Sequence, residues 1–82
     1  MSAEPDIKAW VEDVARRLVD RAEEVRARAV EEHGTTVIEL EVHPDEMGRV
    51  IGRQGRTAQA LRTLLAVAGA RHGRSYDLEI LE

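Results

Sequence analysis

Cysteine and phenylalanine are absent from this chain of 82 residues, and Trp10 and Tyr76 are its only tryptophan and tyrosine. Without cysteine, disulfides and thiolate metal sites are excluded, and an intracellular setting is compatible with the sequence. No apolar run approaches the roughly 20 residues of a membrane span. Residues 1–6 also lack the basic and apolar regions of a signal peptide. We expect one small cytoplasmic domain over residues 1–82, with a loose N-terminus at residues 1–5.

The residue patterns that would support an enzyme are missing as well. A phosphate-binding P-loop needs a lysine after its second glycine, and the only lysine of the chain is Lys8. The histidines, at positions 33, 43 and 72, do not have the paired spacing of metal ligands. Ser2 and Ser75 have no histidine and acid placed as in a catalytic triad. We therefore predict no catalysis, no cofactor, no metal and no small-molecule substrate.

Acidic residues are scarce in the second half of the chain. The net charge is −4, but residues 1–46 hold 6 basic and 13 acidic residues, whereas residues 47–82 hold 6 basic and 3 acidic residues. From Met47 to Tyr76 there are six arginines and no acid. This stretch suits an anionic partner, although an arginine-rich solvated surface is the plainer alternative.

A GxxG motif, Gly52-Arg53-Gln54-Gly55, lies inside this stretch. Glycine allows a tight turn and a close approach of backbone to ligand, because it has no Cβ. The helix predicted after the motif would present free N–H groups, and guanidinium groups suit phosphate. The motif alone recurs by chance, but here an apolar Val-Ile pair precedes it. The candidate phosphate-binding residues are Arg49, Val50, Ile51, Gly52, Arg53, Gln54, Gly55 and Arg56.

Three helices are predicted from apolar periodicity. The first has an apolar stripe in which we interpret Trp10 as a core residue, and a short second helix follows Pro44 and ends at Gly52. The third spans Thr57 to His72 and stops at Gly73. The apolar stripe of the first helix is Ile7, Trp10, Val11, Val14, Ala15, Leu18 and Ala22, and that of the third is Ala58, Leu61, Leu64, Leu65 and Ala68.

Three strands are predicted as well. Residues 35–42 alternate most clearly, with Ile38, Leu40 and Val42 on one face, and residues 76–80 alternate as a final strand. Residues 24–32 fit either an extension of the first helix or a half-buried strand. We predict a strand, because a turn at His33-Gly34 would pair it with the next strand and a two-stranded sheet is marginal in water.

The resulting order, α-β-β-α-α-β with GxxG before the third helix, resembles the type II KH domain. The chain more closely resembles the small bacterial single-KH-domain RNA-binding proteins of the KhpA type, through residues 35–40 and through the run from Met47 to Thr57. This resemblance implies an α+β fold with helices on one face of a three-stranded sheet. It also implies that the GxxG loop holds about four nucleotides of single-stranded RNA, in post-transcriptional regulation or RNA chaperoning.

The resemblance further implies self-association, or pairing with a larger multidomain RNA-binding protein of the KhpB type. Candidate contact surfaces are an exposed edge of the sheet and the outer face of the third helix, where Leu64 and Val67 are left over as apolar positions. A KH-fold module that docks a protein and has little RNA binding of its own remains the alternative. The loop has Arg53 and Gln54 where an acidic residue would repel phosphate, and this favours RNA binding over protein docking alone.

Overall fold

The first helix, α1, spans Ile7–Leu18 in the computed structural model, which describes residues 6–82. Its start is fixed by Asp6, whose Oδ1 accepts the backbone N–H of Ala9 at 3.0 Å. Such an N-cap satisfies one of the backbone donors that a helix leaves unpaired at its start. The prediction for residues 1–5 lies outside the described residues.

The first strand, β1, spans Arg26–Glu32, and the second, β2, spans Thr35–Glu41. Residues 22–24 form one 3₁₀ turn and do not continue α1, so the strand prediction for this segment is confirmed. His33 and Gly34 make the connecting turn, and both have positive φ, at 51° and 84°. This is the geometry of a two-residue hairpin that matches the twist of the strands.

The third strand, β3, spans Tyr76–Ile80 and completes a sheet in the order β1-β2-β3. β2 is central, antiparallel to β1 and parallel to β3. Ile38 faces Ala29 on one side and Leu78 on the other, and all three side chains point to the helical face of the sheet. The opposite face carries charged side chains, including an Arg28–Glu39 ion pair at 2.8 Å.

The second helix, α2, spans Met47–Ile51 after a 3₁₀ turn at Pro44–Glu46, and the third, α3, spans Arg56–Arg71. Together with α1, these helices cover one face of the sheet. The predicted order α-β-β-α-α-β is confirmed, and the fold is that of a type II KH domain. The core holds residues from all three helices, β2 and β3, and β1 adds only the partly buried Ala27. Its most completely buried large side chains are Val11, Val25, Ile38, Leu40, Val50 and Leu65.

One residue predicted to lie in the core is exposed. Trp10 is 37% exposed, so its interpretation as a core residue is wrong. The buried residues of each helix form one narrow row with a spacing of four. In α1 this row is Ile7, Val11 and Ala15, and in α3 it is mainly Leu61 and Leu65. Trp10 and Leu64 lie beside these narrow stripes. The expectation that Leu64 and Val67 leave apolar positions on the outside of α3 is confirmed, since Val67 is 55% exposed.

Candidate nucleic-acid interface

Gly52 closes α2 in a backbone conformation that a side chain would disrupt. Its φ is 80° and its ψ is 169°, in a region that is essentially restricted to glycine. A Cβ at this position would also lie 2.8 Å from the backbone nitrogen of Thr57. The missing side chain therefore lets the end of α2 pass directly against the first turn of α3.

The tip of the loop presents side chains outward. Arg53 and Gln54 are exposed, and Gln54 has the left-handed backbone conformation, with φ 57° and ψ 26°. Gly55 follows with φ 73° and is the N-cap residue of α3, so no side chain caps that helix. The Gln54 side-chain oxygen accepts a hydrogen bond from Arg56 Nη2 at 3.0 Å. Two arginines and the start of a helix of 16 residues thus share one small surface.

An open cleft lies beside the loop, between the first half of α3 and β3. Its lining combines apolar and charged side chains, with Arg62 as the cation among them. Acidic residues complete the lining, with Asp77 and Glu79 on β3 and Glu32 on β1. A planar apolar group could rest in this cleft while an attached anion contacts the loop. The residues of the part next to the loop are Ile51, Gly55, Ala58, Arg62, Leu78 and Ile80.

Comparison with known proteins identifies this arrangement. A family model for the KH domain of KhpA and KhpB matches residues 8–80. The chain belongs to this KH-domain family. An RNA-binding protein KhpA of Aquifex aeolicus is 51% identical over 82 residues, covering all of both chains. An RNA-binding protein KhpA of Halalkalibacterium halodurans is 43% identical over 76 residues, covering 93% of this chain and all of the relative.

The KH domain brings five of the eight predicted site residues together in the exposed loop, at positions 52 to 56. Ile51 is half-buried and lines the cleft. Val50 is completely buried and packs in the core beneath α2. Arg49 is directed elsewhere, because its Nη1 lies 3.1 Å from Asp20 Oδ2 and 3.8 Å from Glu46 Oε2. Its charge is therefore shared with two carboxylates.

Glu46 is a buried carboxylate that ties the connection after α1 to the start of α2. It is 6% exposed, and its two oxygens accept the backbone N–H groups of Asp20 and Arg21 at 2.7 and 3.1 Å. Hydrogen bonds to a carboxylate are among the stronger ones, and Arg49 offsets part of the cost of burying its charge. The segment that carries GxxG is thus anchored to a part of the chain about 25 residues earlier.

Sequence reasoning missed the residues that form the far side of the cleft. Ala58 and Arg62 follow Gly55 at three- and seven-residue spacing, which places all three on one face of α3. That spacing is a signal that could have been used. Leu78 and Ile80 could not be found in the same way, since their approach to α3 depends on the parallel pairing of β2 with β3.

Between residues 6 and 82, no group of three or more histidine, cysteine or acidic residues is arranged to hold a metal ion. Over the same residues, no helix has the length and apolar character needed to cross a membrane.

Proposed function

We propose that this KH domain binds single-stranded RNA through the GxxG loop and the adjacent cleft. The observation that carries the proposal is the joining of an exposed, acid-free loop at Arg53 and Gln54 to an open cleft whose part next to the loop is largely apolar. Relatives that match over the whole chain are named RNA-binding proteins, which supports the same ligand class here. A role in post-transcriptional regulation or RNA chaperoning in the cytoplasm, without catalysis, fits such a module.

In this proposal the loop positions the phosphates and the cleft receives the bases. Gly52 and Gly55 let the backbone approach, and Arg53 and Arg56 supply charge for phosphate oxygens. Ile51 and Ala58 provide an apolar surface beside the loop for a base. A base that enters the cleft must be unpaired, because in a duplex its faces are already stacked. Single strands should therefore bind more tightly than a duplex of the same sequence.

The first prediction concerns the loop. Replacing Arg53 and Gln54 with aspartate should abolish RNA binding, because negative charge would face phosphate, while the fold stays intact because both side chains are exposed. The matched control is Lys8→Asp with Ala9→Asp, which makes the same charge change on two exposed residues of α1. Fluorescence anisotropy would measure binding to a single strand and to the duplex, and circular dichroism would check folding. Undiminished binding by the loop variant, or a preference for duplex, would refute the proposal.

We further propose that the functional species is a dimer, or a complex with a larger KhpB-type RNA-binding protein. A groove between α1 and α3 is lined almost entirely by apolar side chains, among them Trp10, Leu64 and Val67. Exposed apolar groups of this size are typical of interaction sites. The exposed edge of β1 is a weaker candidate, since Glu12 accepts the N–H of Ala27 there at 2.8 Å.

A protein-docking module without RNA binding is the second candidate, and the same α1–α3 groove favours it. The loop variant separates the two functions, because it should lose RNA and keep its protein contacts. An RNA-free docking module would instead show no measurable affinity for any single strand in its wild-type form, at low salt where phosphate contacts are strongest.

A further inference from the structure

The outer edge of β3, which forms one wall of the cleft, is covered by two charged side chains. The Ser75 C=O and the Leu81 N–H bond to β2, each at 2.8 Å, so the alternation along the strand turns the N–H and C=O of Leu78 away from the sheet. Both of these groups are paired. Asp77 Oδ1 accepts the Leu78 N–H at 2.8 Å, and the Leu78 C=O accepts from Arg62 Nε and Nη2 at 3.3 and 3.2 Å.

This pairing changes what the edge offers to a ligand. A bare strand edge would present the Leu78 carbonyl as an acceptor, which suits the exocyclic amine of adenine or cytosine. Arg62 occupies that carbonyl, and its own side chain is 41% exposed and lines the cleft. The Leu78 carbonyl takes the Nε N–H and one N–H of Nη2. The other N–H of Nη2 and both N–H groups of Nη1 remain as donors. An acceptor has thus been replaced by a pair of donors with a fixed geometry.

A guanidinium fork fits two neighbouring acceptors on a base. Guanine presents N7 and O6 side by side, and cytosine presents N3 and O2 on its pairing edge. Adenine places a donor next to N7, and uracil has an N–H between its two carbonyls, so each offers a single acceptor to the fork. Asp77 also lines the cleft, where its Oδ1 accepts the Leu78 N–H and lies 4.0 Å from Arg62 Nε.

We propose that Arg62 selects the base in the cleft and favours guanine or cytosine over adenine and uracil. The inference depends on the proposed RNA binding, to which it adds a specificity. It assigns Arg62 a role different from that of the loop arginines. Arg56 would contact phosphate and act alike on every sequence, whereas Arg62 would contact base edges and act on the differences between sequences.

The test uses RNAs of about eight nucleotides, twice the span of one KH domain, with a uridine background and a central pair of G, C, A or U. Wild-type protein should bind the G or the C strand about 10- to 100-fold more tightly than the A and U strands. Arg62→Lys keeps the positive charge but not the fork, so overall affinity should largely remain while the discrimination falls. Arg56→Gln should weaken all four strands by a similar factor and leave their ratios unchanged.

Two further arms keep the outcome decisive. Replacing guanine with 7-deazaguanine removes N7. If the fork reads the N7 and O6 edge, the G strand should lose its preference. If cytosine is the preferred base, the preference for the C strand should be unaffected. Circular dichroism of Arg62→Lys checks that α3 and β3 stay in place. Equal ratios in wild type and Arg62→Lys, or a wild-type preference for adenine or uracil, would overturn the assignment to Arg62. Failure of every strand to bind would instead overturn the RNA proposal itself.

Discussion

The two glycines of the GxxG loop are required for different physical reasons. At Gly52 both the backbone conformation and the space exclude a side chain, because a Cβ would strike Thr57. At Gly55 only the conformation matters, since a Cβ there would have no heavy atom within 4 Å and the backbone lies in the left-handed region. Gln54 already occupies that region without being glycine. The first glycine therefore fixes how the helices meet, and the second fixes the direction in which α3 starts.

Substitution of each glycine should separate these roles. Gly52→Ala should lower the free energy of unfolding by at least about 1–3 kcal/mol, the cost of a residue forced into such a conformation. Gly55→Asn should stay within about 1 kcal/mol of wild type, because asparagine tolerates the left-handed region. Urea unfolding followed by circular dichroism would measure both values. Equal losses for the two variants would show that the contact with Thr57 does not limit the loop.

At the scale of elements, α2 is a helix of five residues, too short to be stable alone, and neighbouring segments hold it in place. Val50 anchors it to the core, and Glu46 links its start to the backbone that follows α1. Arg49 bridges Glu46 and Asp20. The position of GxxG thus depends on one buried carboxylate as well as on apolar packing.

Removing that carboxylate should destabilise the protein. Glu46→Ala leaves two backbone N–H groups without their acceptor, so we expect the free energy of unfolding to fall by about 1–3 kcal/mol. The control is Glu23→Ala, which removes an exposed carboxylate from the turn after α1 and should change stability by no more than about 0.5 kcal/mol. Thermal and urea melts of both variants would provide the comparison. A loss no greater than that of the control would mean that apolar packing alone positions α2.

The helices and strands could be predicted from sequence largely because their signals are local. The alternation around Ile38 and the turn at His33-Gly34 suffice to place the hairpin, and the hairpin in turn identifies β1. The outward faces could not be predicted in this way, because the width of a buried stripe depends on which neighbours cover the helix. Trp10 was misjudged for that reason. The pairing of Arg49 with Asp20 and of Arg62 with Leu78 was also hidden, since these partners are far apart in sequence.

Over the whole molecule, acidic residues are unevenly placed around the candidate RNA surface: the GxxG loop has none, whereas Glu32, Asp77 and Glu79 line the cleft. The open face of the sheet carries Glu39 and Glu41 on β2 and Glu79 on β3, opposite the face that the helices cover. RNA would be repelled from that face and directed to the loop, where the chain from Met47 to Tyr76 has no acid. The apolar groove between α1 and α3 is a third surface, lined by none of the residues that line the cleft. A partner could therefore occupy the groove while RNA occupies the cleft.

Association through that groove should be sensitive to a single charge. Leu64→Glu should weaken self-association or binding of a KhpB-type partner, because a carboxylate would be buried against apolar side chains. Gln59→Glu is the matched control, with the same change of charge at an exposed position of α3. Light scattering across a concentration series would give the mass of each form. Trp10 is the only tryptophan and lies in the groove, so its emission should shift to shorter wavelength as the complex forms.

The affinity for RNA provides an independent test of the same association. One KH domain spans about four nucleotides, so two linked clefts should bind a tandem site about 10²- to 10⁴-fold more tightly than a single site. Leu64→Glu should lose this gain and keep wild-type affinity for the single site, because the cleft is untouched. The loop variant at Arg53 and Gln54 should do the reverse, associating normally and binding neither RNA. A wild-type chain that stays monomeric at high concentration, ignores a KhpB-type partner and gains nothing from a tandem site would leave a lone, weak RNA binder.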